Sequence, residues 1–210
     1  MNDMTDLELI RIAKMKIFNY VIGDILKTIK GGALMGAFVQ SFCLIDYLSA
    51  IARLANNDAI GDNYEKFVES YLPDYDQKKL YAIRCGLVHT YGQSRRMEEA
   101  DLKGYKFQHK NPENHRKYED KIYWLNLSNF VFDVIKVTHL FFLEIEQKVE
   151  AGADLPEIER ANNIISVWGP LGMIVSPNFG MIDPILSCLD STSITWAILE
   201  NEIYKLCLEK

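Results

Sequence analysis

Residues 84–89 read Arg-Cys-Gly-Leu-Val-His, near the end of the helical run QKKLYAIRCGLVHTY. The segment joins a permanently charged guanidinium to an imidazole, the side chain that changes protonation near neutral pH. Four residues separate Arg84 from His89, which places them well over one turn apart and off a single stripe. They can still converge if His89 lies at a frayed helix end, as Gly92 suggests, or if a second copy of the helix packs against the first. Gly86, between them, disfavours a helix interior by roughly 0.5–1 kcal/mol relative to Ala, and close helix–helix approach is the natural compensation. From spacing alone, the pair equally fits a surface arginine and a histidine facing the C-terminal dipole of its helix.

The elements that carry this segment are helical. Asp3 or Thr5 caps a first helix, with Asp6 and Glu8 favouring its N-terminal end. Leu7, Ile10, Ile17, Val21 and Leu26 form its apolar stripe, and Gly31-Gly32 ends it. From Ala33 to about Asn56 a second helix is apolar nearly all round, the pattern of a central helix with neighbours on several sides. Asn56, Asn57 and Gly61 break it; a shorter helix follows from Tyr64 to Tyr71, ended by Pro73. Asp76 caps the helix bearing Arg84, which places Leu80, Ile83, Leu87 and Val88 towards the core. Asp46 interrupts the central helix, and a buried carboxylate needs a partner. Arg84 is one candidate; Arg53, a backbone group or the helix surface are the others.

Beyond the motif, residues 94–126 turn polar and charged before KIYWLNL, which reads as a strand. With Gly104-Tyr105-Lys106-Phe107 it suggests a β-hairpin whose loop is HKNPENHRK. Ser128 to about Val149 is again an apolar helix, with His139 expected as a hydrogen-bonded core histidine. Another helical segment is expected from near Pro156 to Ile165, and a terminal one in STSITWAILENEIYKLCLEK. The fold class expected is mainly α: an antiparallel helical bundle over 1–153 with a small inserted hairpin at about 94–126, and a C-terminal extension, 154–210, packed on it.

The run LYAIRCGLVHTYG, preceded by FCLIDYLSAIARLA and YEKFVESYLP, resembles the HEPN superfamily over roughly the first 150 residues. Its hallmark is Arg, four to six residues, then His at the end of a helix in a four- or five-helix domain. The resemblance implies a homodimeric endoribonuclease that needs no metal or other cofactor, with motifs from both subunits facing one cleft. It implies that Arg84 stabilises charge on the scissile phosphate and that His89 transfers protons. The 2′-hydroxyl then attacks the adjacent phosphorus, leaving a cyclic phosphate. Asp46, Cys85 and Tyr91 are candidates to support the pair; Arg95 and Arg96, by position just after the motif, fit either an RNA-backbone contact or a solvated loop, since Glu98, Glu99 and Asp101 follow. Where related families carry Asn or Asp after the Arg, this chain has Cys85, a weak hydrogen-bond donor. A toxin or defence effector with a cognate antitoxin is the expected setting. The alternative expectation is the same fold without cleavage, as an RNA-binding or protein-interaction module.

Composition narrows the field further. With 49% hydrophobic and 25% charged residues, the 210-residue chain is ordinary globular material. A formal net charge of −6 excludes bulk electrostatic attraction of nucleic acid, so RNA contacts must come from local arginines. The four cysteines form no C-x-x-C pair, and the histidines and carboxylates show no H-E-x-x-H spacing, so no metal is expected. Gln40, Asp46 and Arg53 interrupt the most apolar stretch, and no apolar leader opens the chain. A cytoplasmic, soluble protein with no membrane span is the expectation.

Overall fold

Thr5 starts the first helix by a reciprocal bond. Its hydroxyl accepts from the Glu8 N–H at 3.3 Å, and the Glu8 carboxylate accepts from the Thr5 N–H at 2.8 Å. Helix α1 (Asp6–Lys16) runs into a π-helical stretch, Ile17–Ile22, and continues as α2 (Gly23–Lys30). At Gly32 the backbone turns left-handed (φ 81°), as expected of the Gly-Gly stop. This computed structural model describes residues 5–54, 59–90, 94–153, 155–158, 160 and 196–208.

Helix α3 (Leu34–Ala52) is the central element, packed by α2, by α4 (Ile60–Tyr71), by α5 (Gln77–Thr90) and by α7 (Leu127–Glu150). By length and composition it is apolar enough to cross a membrane, yet half of its most apolar window is buried within the protein. It ends earlier than the apolar pattern suggests, because Arg53 adopts a left-handed conformation (φ 48°). Helix α4 begins before Tyr64, so Gly61 lies in its first turn and does not act as the breaker expected. Asp76 caps α5, its carboxylate accepting from the Lys79 N–H at 3.0 Å.

After α6 (Arg95–Glu99) comes the insert, with strands β1 (Gly104–Gln108), β2 (Tyr118–Glu119) and β3 (Ile122–Asn126) in the order β1-β3-β2. A hairpin is present, but not between the strands expected. β2 and β3 are antiparallel across the two-residue turn Asp120-Lys121, where both φ values are positive (53° and 63°). β1 pairs with β3 in parallel, Gly104 opposite Ile122 and Gln108 opposite Asn126. Alternation alone fixes which face is buried, and parallel and antiparallel neighbours satisfy it equally. Asn126 then caps α7, its side chain accepting from the Asn129 N–H.

The fold is thus mainly helical with a small β insertion, as its periodicities suggest. The last described helix, α8 (Trp196–Leu208), buries Leu199, Ile203 and Cys207, with the Trp196 ring edge-on to Phe132 and His139. His139 departs from expectation: its buried Nδ1 makes no hydrogen bond among the described residues, and burial lowers its pKa. The segment expected from Pro156 to Ile165 lies largely outside the described residues.

A second histidine ties the insert to the bundle. His115 Nδ1 accepts from the Asn126 N–H at 3.1 Å, so its Nε2 carries the proton and donates to the Tyr75 hydroxyl at 2.7 Å. Tyr75 in turn donates to Asp133 at 2.6 Å. Burial holds the His115 pKa below its ordinary value, Arg116 adds to this, and Asp133 opposes it. A depressed histidine stabilises the fold above the unfolded-state pKa, and that contribution is lost as pH falls through the lower, folded value. Urea denaturation should therefore show stability falling as pH drops from the ordinary histidine range into the acid side. His115→Phe should flatten that decline.

Candidate active site

Three packed helices bring the motif together. Asp46 projects from the middle of α3, Tyr64 from α4, and Tyr81, Arg84, Cys85 and His89 from α5. The guanidinium of Arg84 meets a single oxygen of Asp46, with Nε at 2.5 Å from Oδ2 and Nη2 against the same atom. Its remaining nitrogen, Nη1, lies 2.8 Å from Nε2 of His89. An arginine can only donate, so Nε2 accepts, which requires a neutral His89 with its proton on Nδ1.

Arg84 and His89 therefore meet within one intact helix, without fraying of the turn between them. The backbone separates the two positions by about 140° around the axis, and the long arginine side chain spans the difference. Among the partners open to Asp46, Arg84 is the one it takes. The two side chains are 13% (Arg84) and 18% (Asp46) exposed, so the pair is largely shielded from water while His89 stands exposed at the helix end.

Burial pushes the Asp46 carboxyl above its ordinary pKa; the bond and charge of Arg84 pull it back only in part. The physical reason is visible in the geometry. Nε and Nη2 both lie on Oδ2, and Oδ1 is buried with no hydrogen bond among the described residues. For Arg84, burial works against the charge, but Asp46 and Cys85 outweigh it and raise the pKa. Burial, with the neighbouring Cys85 thiol, pushes the Tyr81 hydroxyl up to about 12.

Two features of the site were not singled out by the sequence. Tyr64 is fully buried, its ring 5.3 Å from that of Tyr81. Gly61 clears the space for Tyr81: a Cβ at 61 would come within 2.9 Å of the tyrosine ring and hydroxyl. A tyrosine at helical spacing reads as core, and a glycine after an asparagine pair reads as a breaker. The legible signal was only that Tyr64 and Tyr81 fall inside the two stretches flanking the motif.

The other candidates are placed less centrally. Gly86 is buried in α5. Tyr91 lies outside the described residues. Arg95 and Arg96 begin α6; Arg95 is 92% exposed, and Arg96 bonds Glu99 at 2.8 Å while lying over the Tyr81 ring at 5.8 Å. Among the described residues no three His, Cys, Asp or Glu side chains gather closely enough to hold a metal ion. The arrangement offers a cation anchored on one side by a carboxylate and joined on the other to an exposed proton acceptor. Comparison of the chain with family models, with curated proteins and with solved structures finds no match.

Proposed function

We propose that this chain is a HEPN-like, homodimeric endoribonuclease that uses no metal or other cofactor, and that it works in the cytoplasm as a toxin or defence effector held by a cognate antitoxin. The observation that carries this reading is the direct contact between Arg84 Nη1 and His89 Nε2. An anion binder and a base that touch in the resting state can act on the same phosphodiester.

In this reading a phosphate oxygen takes Nη1 from His89, which frees the Nε2 lone pair. His89 accepts the proton of the 2′-hydroxyl as the 2′-oxygen bonds to phosphorus. Arg84 stabilises the charge gathering on the non-bridging oxygens, and Asp46 holds the guanidinium in place until the phosphate arrives. The bond from phosphorus to the 5′-oxygen breaks, and a proton delivered to that oxygen leaves a 2′,3′-cyclic phosphate and a free 5′-hydroxyl. His89 of a second copy across the dimer is the donor in this scheme.

An apolar row on α3 supports the dimer. Met35, Cys43 and Ala50 are exposed along it, with Leu54 just past its end, and Val39 and Tyr47 half-buried in the same row. Asp46 belongs to this face, so a second copy docked there would bring its own motif alongside. The alternative, an RNA-binding or protein-interaction module that does not cleave, is favoured by one observation. Cys85 occupies the position after Arg84, and its sulfur faces Arg84 and Tyr81 of its own chain.

Purified protein incubated with mixed RNA in EDTA should cut it to fragments with cyclic-phosphate ends. His89→Ala should slow this by about 10²–10⁴-fold. A stable dimer that binds RNA without cutting it would favour the module. A monomer that neither binds nor cuts RNA would reject the ribonuclease and the RNA-binding module alike.

A further inference from the structure

The hydroxyl of Tyr64 is buried, with the residue 0% exposed, and it makes no hydrogen bond among the described residues. Such a group destabilises a fold, and phenylalanine would fill the same space without it. The site contains a second atom in the same condition, Oδ1 of Asp46. One is a donor lacking an acceptor and the other an acceptor lacking a donor. They come from neighbouring helices, α4 and α3, packed together beside Tyr81 and Arg84 of α5. Burial keeps the Tyr64 phenol protonated, and Asp46 is foremost among the charges that act on it.

At rest, every nitrogen of Arg84 is engaged, two on Oδ2 of Asp46 and one on His89. A phosphodiester presents two non-bridging oxygens, and a guanidinium that turns both Nη nitrogens to them draws Nη2 away from Asp46. The carboxylate is then left shielded from water with less compensation than before. We propose that Tyr64 is the positioning residue that meets this need: its hydroxyl takes Oδ1 of Asp46 when Arg84 turns to an RNA phosphate. Asp46 thus has two resting partners, Arg84 when the site is empty and Tyr64 when it is filled. The inference rests on the ribonuclease reading of the site and adds to it the step that releases the arginine.

Tyr64→Phe tests this in three measurements. Thermal melting should show the variant folded and as stable as the wild type, or raised by roughly 2–4 °C, because an unpaired hydroxyl has been removed. RNA cleavage in EDTA should fall about tenfold, the weight of one hydrogen bond to a charged group. Binding of a mixed-sequence 2′-O-methyl oligonucleotide, which cannot be cut by 2′-hydroxyl attack, should weaken by a similar factor. In an Asp46→Asn background the same substitution should change neither quantity further, since the hydroxyl acts through the carboxylate.

Cleavage and binding both at wild-type levels in Tyr64→Phe would overturn the proposal. So would a loss that persists undiminished in the Asp46→Asn background. A wild type that binds the methylated probe without cutting RNA, with binding weakened by Tyr64→Phe only when Asp46 is present, would retain the role of Tyr64 and reject the ribonuclease. A wild type that fails to bind the probe overturns both.

Discussion

Arg84→Ala is expected to lower RNA cleavage by about 10²–10³-fold, the loss seen when a donor to developing oxyanion charge is removed. The same variant should lose roughly 1–3 kcal/mol of stability. Removing one member of a buried ion pair costs about 3–5 kcal/mol, and the remaining exposure of Asp46 reduces that figure. Arg84→Lys separates the two effects. A single ammonium still neutralises Asp46, but it cannot also reach His89 in the planar geometry of a guanidinium. Its stability should recover while cleavage stays low. Urea denaturation and cleavage in EDTA, measured on both variants, check this; equal cleavage by Arg84→Ala and wild type would end the assignment of Arg84.

Phe130→Ala should destabilise the fold by about 3–5 kcal/mol, the largest single effect on stability expected in this chain. Phe130 is fully buried at the junction of bundle and insert. Its ring lies 4.8 Å from Phe42 and 6.0 Å from both Phe38 and Tyr75. Phe38 in turn stacks on Phe107 of β1 at 4.2 Å. The cavity left by alanine would therefore open under α3 and under the sheet together. Phe130→Leu, which keeps most of the volume, should lose less than half as much. Chemical denaturation would show both, and a loss of under about 1 kcal/mol for alanine would mean the cluster can collapse around the gap.

The helices were legible because their signals are local. Thr5 with Glu8, Gly31-Gly32 and Asp76 mark ends that the structure contains, and the all-round apolarity of residues 34–52 announces a central helix. The π-helical stretch at Ile17–Ile22 was not legible, since one extra residue in a turn leaves no compositional trace. The strand pairing was misjudged for a different reason. Gly104–Gln108 and Ile122–Asn126 carry strand patterns, but direction is decided by Phe107 reaching Phe38, a contact 69 positions distant.

At the site, the carboxylate of Asp46 was conspicuous among apolar neighbours, and its need for a counter-ion pointed at Arg84. The Arg84–His89 contact was hidden by angular bookkeeping of backbone positions, which ignores the length of the arginine side chain. Tyr64 escaped notice because its ring does belong to the core. What distinguishes it is a missing hydrogen bond, and no sequence records one.

The parallel neighbour in the insert also sets an order of assembly. The strands β2 and β3 are joined by two residues and can zip in microseconds. β1 is held apart from β3 by the whole of residues 109–121 and cannot nucleate by hairpin closure. It gains its place only when Phe107 finds Phe38 on a helix already seated in the bundle. Refolding should thus be slowest to register in β1, and residues 94–126 excised from the chain should leave β1 unpaired.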